Sequence, residues 1–191
     1  MTLSRSLRIS SASVRELTTV AEIHAAQRLR YSVWQSEGAV IHSPKPGTIA
    51  DYHDEHATHW GSFDGDVLVG AARLCIHNKL SEAPDGEMFA SLPVPAPVAS
   101  INRMIVLKSH RGLGIGTEFD ERRIEKAREL RARAIIATPV NASSRKLSLK
   151  VRGFQFPTGV PMGNPIYSPL MQICACYLIL DTPTVWEAPH D

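Results

Sequence analysis

Six consecutive residues, Arg111-Gly112-Leu113-Gly114-Ile115-Gly116, carry the clearest chemistry in the chain. They follow an apolar, strand-like stretch at 101–107 (INRMIVL) and open a helix-like stretch at 117–131 (TEFDERRIEKARELR). A strand, a glycine-rich turn and a helix in that order aim several backbone N–H groups at one point. The helix N-terminus adds partial positive charge there, so the place suits a phosphate or pyrophosphate. Glycines let a ligand approach the backbone closely and tolerate left-handed conformations. A P-loop would end in Gly-Lys-Ser/Thr, and here Gly116 is followed by Thr117 and Glu118. A dinucleotide fingerprint would need G-x-G-x-x-G in an N-terminal βαβ unit, but Thr117 stands three residues after Gly114 and the run lies past mid-chain.

The flanking pattern supplies elements to hold this turn. Residues 7–14 are expected to form a first strand. Residues 18–37 place Val20, Ile23, Ala26, Leu29, Tyr31 and Val33 near helical spacing, and Gly38 can end that helix. Residues 42–51 (HSPKPGTIAD) read as a loop, and 59–63 with 67–76 as a hairpin turning at Asp64-Gly65-Asp66. Residues 81–97 are rich in proline and glycine, with one short helix expected near 87–91. After the glycine turn and its helix come a strand at 134–140 (AIIATPV), a short helix within 141–152, and one long strand or a strand pair within 160–180. The tail at 181–191 reads as frayed. The sum is a single domain spanning 1–191, with its core at about 7–180. Its fold class is an α/β sandwich, with a central mixed, mostly antiparallel sheet flanked by helices.

Composition is ordinary for a globular domain: 191 residues, 43% hydrophobic and 21% charged, enough to bury a substantial core. A net charge of +2 is too weak to argue for nucleic acid. Arg122, Arg123, Lys126, Arg128, Arg131 and Arg133 alternate with Glu121, Glu125 and Glu129, a pattern that reads as a solvated helix face with i,i+4 pairs. Three cysteines, Cys75, Cys174 and Cys176, form no metal spacing and read as reduced thiols of a cytoplasmic protein. Alternation puts Cys174 and Cys176 on one face of a buried strand. Residues 1–16 lack the apolar core of a signal peptide, and the apolar stretch 170–180 is too short to span a bilayer. An exposed edge strand within 160–180 would permit a homodimer.

The pattern Arg/Gln-x-x-Gly-x-Gly/Ala, met by Arg111 to Gly116, resembles the coenzyme A pyrophosphate loop of the GNAT acyltransferase superfamily. The resemblance extends over about residues 14–154, through Val67-Leu68-Val69-Gly70-Ala71-Ala72-Arg73-Leu74 to Asn141 and the closing Gly153-Phe154. The first half is also similar to autoinducer (acyl-homoserine lactone) synthases and long-chain N-acyl amino acid synthases. That likeness rests on Leu29-Arg30-Tyr31-Ser32-Val33-Trp34, Asp51-Tyr52-His53-Asp54, Ala57-Thr58-His59 and Asn102-Arg103-Met104-Ile105-Val106.

By resemblance, the chain would move an acetyl or acyl group from acetyl- or acyl-coenzyme A to a primary amine of a small molecule or peptide. Arg111, Gly112, Leu113, Gly114, Ile115, Gly116 and Thr117 would hold the pyrophosphate. Met104, Ile105 and Val106 would supply a backbone N–H for the tetrahedral oxyanion. Asn141 and Ser144 would meet the pantetheine arm or stabilise the gap between the central strands. Arg30, Trp34, Asp51, Asp54, Arg73 and Arg103 would line or brace the acceptor pocket. Arg30 and Arg73 could equally pair with Asp51 and Asp54 as a structural ion network. Two rivals follow from the same residues: a signal-type acyl synthase fed by an acyl carrier protein, and a non-catalytic acyl-coenzyme A module.

Two positions depart from these patterns. Ser100 stands where autoinducer synthases place a glutamate, and Leu149 where a GNAT tyrosine acid is expected. The base is then sought among Asp51, Asp54, Glu55 and His53, and the acid for the leaving thiolate in water or Ser148. His53, His56 and His59 recur every third residue, but the HExxH order is missing and no metal is expected.

Overall fold

The computed structural model describes residues 12–38, 46–140, 142–158, 160 and 172–180. Six strands form one sheet in chain order: β1 (Ser13–Leu17), β2 (Thr58–Asp64), β3 (Val67–His77), β4 (Val98–Val106), β5 (Ala134–Ala137) and β6 (Cys176–Ile179). Every neighbouring pair is antiparallel except β4 and β5, which run parallel. The helices are α1 (Val20–Ser36), α2 (Ile115–Glu129) and α3 (Ser143–Lys150). This is the mixed, mostly antiparallel α/β sandwich that the sequence pattern implies.

Local chemistry sets the helix ends. Thr19 Oγ1 accepts from Glu22 N at 3.3 Å, and Glu22 Oε2 accepts from Thr19 N at 3.1 Å. This reciprocal cap fixes the start of α1. At its other end Gly38, with φ of 68°, donates to Gln35 O. The core fills both sheet faces. On one face α2 and α3 bring Ile115, Phe119, Ile124 and Leu149 against Trp60, Ala72, Leu74 and Ile101. On the other, α1 brings Ala26 and Val33 against Ala71 and Ile105. Beside them, Phe89 packs on Val98, Ile136 and Tyr177.

Several expectations shift. Among the described residues the first strand is Ser13–Leu17, and residues 7–11 of the expected strand lie outside them. The short helix expected near 87–91 is a 3-10 turn, Gly86–Phe89, and a second such turn, Leu80–Glu82, precedes it. β5 stops at Ala137 because Pro139 has no N–H to give a ladder; its carbonyl instead accepts from Cys174 N at 3.1 Å. Of the expected 160–180 strand region, residues 161–171 lie outside the described residues; the described part holds an isolated bridge between Val140 and Ile173 and the four-residue strand β6. Cys174 therefore sits before the strand and is half-buried, while Cys75 and Cys176 are buried.

Arg123 overturns its assignment to a solvated face. It is 1% exposed, donates to Asp120 at 2.6 Å, and shares that carboxylate with Arg145. On the exposed side of α2, Arg122 pairs with Glu118 at 3.5 Å and Lys126 with Glu129 at 3.3 Å, while Glu121 reaches Arg152 beyond the helix. Asn141 and the tail at 181–191 lie outside the described residues. Among the described residues, no helix is long and apolar enough to cross a membrane.

Candidate functional site

The glycine turn sits where the sheet opens. β4 pairs with β5 only at Val98, Ala99 and Ser100, opposite Ala134, Ile135 and Ile136. Beyond Ser100 the two strands part, leaving Asn102 to Val106 on β4 without a β5 partner. A small crevice lies at the fork, lined by Phe89, Ser100, Asn102, Ala137 and Thr138. The pairing of β4 with β3 slips between Asn102 and Ile105, so Arg103 and Met104 form a bulge. Arg103 takes a φ of 54° there, a left-handed conformation that costs a side-chain-bearing residue on the order of 1 kcal/mol or more. Met104, Ile105 and Val106, the residues expected to offer an N–H to an oxyanion, occupy this unpaired stretch.

After β4 the chain makes one 3-10 turn, Lys108–His110, then enters the glycines. Gly112 and Gly114 have φ of 80° and 86°, and Gly114 is the residue that caps α2. A Cβ built on either would meet nothing within 4 Å, so the space in front of the turn is open. Arg111 Nε donates to Val106 O at 3.0 Å, tying the turn to the strand, and its Nη2 pairs with Glu37 at the end of α1. Ile115 anchors the first helical turn in the core at 4% exposure, while Leu113 stays exposed. The first N–H groups of α2, from Gly114 to Thr117, have no carbonyl a turn earlier in the helix to bond.

On the α1 face, five of the predicted residues converge. Asp51 accepts from Arg73 Nη1 at 2.5 Å, Arg103 Nη2 at 2.6 Å and Arg103 Nε at 3.0 Å. Asp54 accepts from Arg73 Nη1 at 2.8 Å and from Arg30 at 3.2 Å. A 3-10 turn, Tyr52–His56, delivers both carboxylates; Asp51 caps it through His53 N, and Asp54 accepts from Asp51 N. Arg73 Nε donates to Asn102 Oδ1 at 2.7 Å, linking the network to the fork. The Arg103 guanidinium also lies over the Trp34 ring, 5.4 Å from its centroid.

The electrostatics follow from this geometry. Burial alone would raise both carboxyl pKa values. For Asp51, hydrogen bonds and charge from Arg73 and Arg103 reverse that and hold it far below the ordinary carboxylate range. For Asp54, Arg30 and Arg73 do the same. Burial pulls Arg30 down to about 10, partly offset by Asp54, so it stays a cation at neutral pH. The network is thus three cations on two fixed anions.

Three predicted residues stand apart. Ser148 is on α3, on the other face of the sheet, where its hydroxyl accepts from Arg152 at 3.4 Å. Ser144 is exposed at the start of α3. Leu149 is fully buried in the core, so its position handles no protons.

His53, His56 and His59 do not converge. His59 Nε2 is 2.9 Å from Asp54 O, and His56 is exposed. His53 instead faces His77, ring centroids 5.5 Å apart, beside Cys75. The pattern Cys75-x-His77, two donors on one face of a strand, was the available signal for this grouping. His77 Nε2 also lies 2.9 Å from Ser100 Oγ.

Solved structures share this fold at low identity. FeeM, an N-acyl amino acid synthase from uncultured soil microbes, aligns over 88% of this chain and 90% of its own, at 14% identity and a TM-score of 0.63. The AHL synthase LasI aligns over 90% and 91%, at 11% identity and 0.68. A Bacillus subtilis acetyltransferase in complex with CoA aligns over 88% and 99%, at 18% identity and 0.54. No curated protein matches the chain in sequence. The model of the acetyltransferase (GNAT) family matches residues 18–154, so the chain belongs to the GNAT acetyltransferases.

Proposed function

We propose that this GNAT enzyme moves an acyl group from acyl-coenzyme A to the α-amine of a small, amino-acid-like acceptor. The observation that carries the donor half is the open glycine turn at the head of α2, set at the end of a strand that has left its neighbour. A pyrophosphate fits that place for reasons of backbone donors and helix charge. In this reading Arg111 to Thr117 hold the pyrophosphate and the pantetheine arm enters the fork beside Met104 to Val106. A backbone N–H of that stretch then meets the oxyanion.

The acceptor half rests on charge. Arg103 and Asp51 are the outer members of the ion network, and a zwitterion offers a carboxylate to the one and an ammonium to the other. Trp34 backs the guanidinium, and Arg30, Arg73 and Asp54 brace the pair from beneath. Asp51 and Asp54 are too strongly stabilised as anions to serve as effective bases, so they position rather than deprotonate. The acceptor must then supply its own reactive form. A peptide-type α-amine of pKa ~8 loses about 1 kcal/mol at pH 7 and a lysine-like amine roughly 4–5; the α-amine of a zwitterion, beside its own carboxylate, lies between the two. The free amine attacks the thioester carbonyl, the C–N bond forms and the C–S bond breaks. The amine proton goes to water, and the thiolate takes a proton from water.

Calorimetry with acetyl-, octanoyl- and palmitoyl-coenzyme A tests this reading. Binding of any of them, weakened by Gly114→Val, supports it. Preference for the long chains selects a fatty acyl donor. No binding by a folded protein refutes the coenzyme A reading and turns the question to an acyl carrier protein.

A further inference from the structure

Buried beside the ion network, His53, Cys75 and His77 bring three ligand atoms to within 4.8 Å of one another. We propose that these three side chains form a binding site for a thiophilic divalent metal of the zinc class, joining the 52–56 turn to β3.

The donor set is specific. Two imidazoles and a thiol suit zinc, and they suit calcium or magnesium poorly. The cluster contains no carboxylate, so it differs from the acidic groupings common on protein surfaces. Cys75 and His77 are 4% and 6% exposed, and they alternate on β3 so that both point to one face. His53 comes from the turn above them and is half-buried, which leaves one side of the cluster accessible. Tetrahedral zinc with bonds of roughly 2.0–2.3 Å needs donors roughly 3.3–3.8 Å apart, a contraction that side-chain torsions can supply.

The surroundings are those of a ligating site. His77 Nε2 is held by Ser100 Oγ at 2.9 Å, and a metal-bound imidazole is oriented in this way through its second nitrogen. Burial raises the Cys75 thiol, and the Arg73 charge opposes that rise. Metal binding would complete the deprotonation, releasing the thiol proton to solvent. Arg73 is the repulsive charge nearest the cluster, and its guanidinium is engaged by Asp51 and Asp54. The inference does not depend on the acyl-transfer reading.

The test is a Co²⁺ titration of the full chain after chelation and desalting, read by absorption. One equivalent should produce a thiolate-to-Co²⁺ charge-transfer band with tetrahedral d–d bands, both displaced by one equivalent of Zn²⁺. Cys75→Ser should abolish the charge-transfer band, and Cys174→Ser should retain it. His53→Ala, on the half-buried turn, should weaken Co²⁺ affinity at least about tenfold while circular dichroism stays native. Zn²⁺ should raise the melting temperature of the wild type and leave Cys75→Ser unmoved. A folded wild type without a charge-transfer band overturns the site. So does a band that survives in Cys75→Ser, or unchanged affinity in His53→Ala.

Discussion

Arg103 Nη2 lies 2.6 Å from Asp51 Oδ2, and these two side chains keep 17% and 19% of their surface exposed. One step deeper, Arg73 and Asp54 meet at 2.8 Å with 1% and 4% exposed. The same kind of interaction therefore serves two purposes across a few ångströms. The inner pair has lost its water and holds the 52–56 turn on the sheet. The outer pair is still reachable by a ligand that carries charges of its own.

That gradient separates two arginine variants. Arg73→Ala leaves Asp51 and Asp54 short of a buried partner and should cost about 3–5 kcal/mol of stability. Arg103→Ala removes an edge pair and should cost under about 1 kcal/mol. Urea denaturation measures both. Arg103→Ala should nonetheless raise the acceptor KM strongly while coenzyme A affinity stays the same. Equal stability loss in the two variants would show that Arg103 is structural.

Two glycines of the turn, Gly114 and Gly116, should respond differently. Gly114 has φ of 86°, so Gly114→Ala strains the backbone by roughly 1–2 kcal/mol even though the space before it is open. Gly116 is already helical, and a Cβ there would sit an ordinary 3.7 Å from Met104 Cε. Gly116→Ala should therefore keep or raise the melting temperature. Both should weaken acetyl-coenzyme A binding if the ligand meets this backbone closely, Gly116→Ala without any stability loss. Unchanged affinity in both would remove the ligand from the turn.

The sequence showed the frame better than the side chains. Gly38 at the end of the first helix, the 64–66 hairpin turn and the glycine turn are local signals, decided by a few neighbouring residues, and they fall where the structure has them. The fork between β4 and β5 is not local: it depends on Pro139 ending one strand and on a bulge at Arg103 in the other. Arg123 leaves the solvated face because its partner Asp120, three residues earlier on the same helix, is itself buried and shared with Arg145 of α3, a contact that the charge pattern along one helix does not reveal. His53, Cys75 and His77 meet because a turn folds back on a strand some 20 residues later in the chain, which spacing in either segment alone does not disclose. Asp51 and Asp54 were legible as site residues, yet their protonation was not, because it is set by arginines from α1, β3 and β4.

The buried Asp120 cluster gives the fold an acid limit. Burial would raise the Asp120 pKa, but the hydrogen bond from Arg145 and the charges of Arg123, Arg145 and Arg152 outweigh it and leave the carboxyl below its ordinary value. A carboxyl whose pKa is lower in the folded state binds fewer protons folded than unfolded. Its stabilisation is full above the unfolded value of about 3.9 and is lost as pH falls toward the folded value. Asp51 and Asp54 act in the same direction. The urea midpoint should be level near neutrality and fall below about pH 4. Asp120→Asn should be less stable at pH 7, by about 3–5 kcal/mol, and should show a shallower acid slope. An acid slope identical to wild type would mean that Asp120 is not ionised in the fold.

With both site carboxylates locked as anions, acceptor choice becomes a matter of amine pKa. An ε-amine at pH 7 has about two orders of magnitude less free base than an α-amine. At saturating acyl-coenzyme A, α-amino acids should therefore outpace amines of the lysine side-chain type, by less than that factor because the neighbouring carboxylate raises the amino acid's own amine pKa. The rate with an ε-amine should rise about tenfold per pH unit up to the amine's own pKa. If Asp51 or Asp54 instead took the proton, the ε-amine rate would be level across neutral pH and would collapse in Asp51→Asn or Asp54→Asn. Parallel pH–rate profiles for one amine of each kind, measured on wild type and Asp51→Asn, decide between the two. A level ε-amine profile would return the base to the network and open the site to peptide lysines.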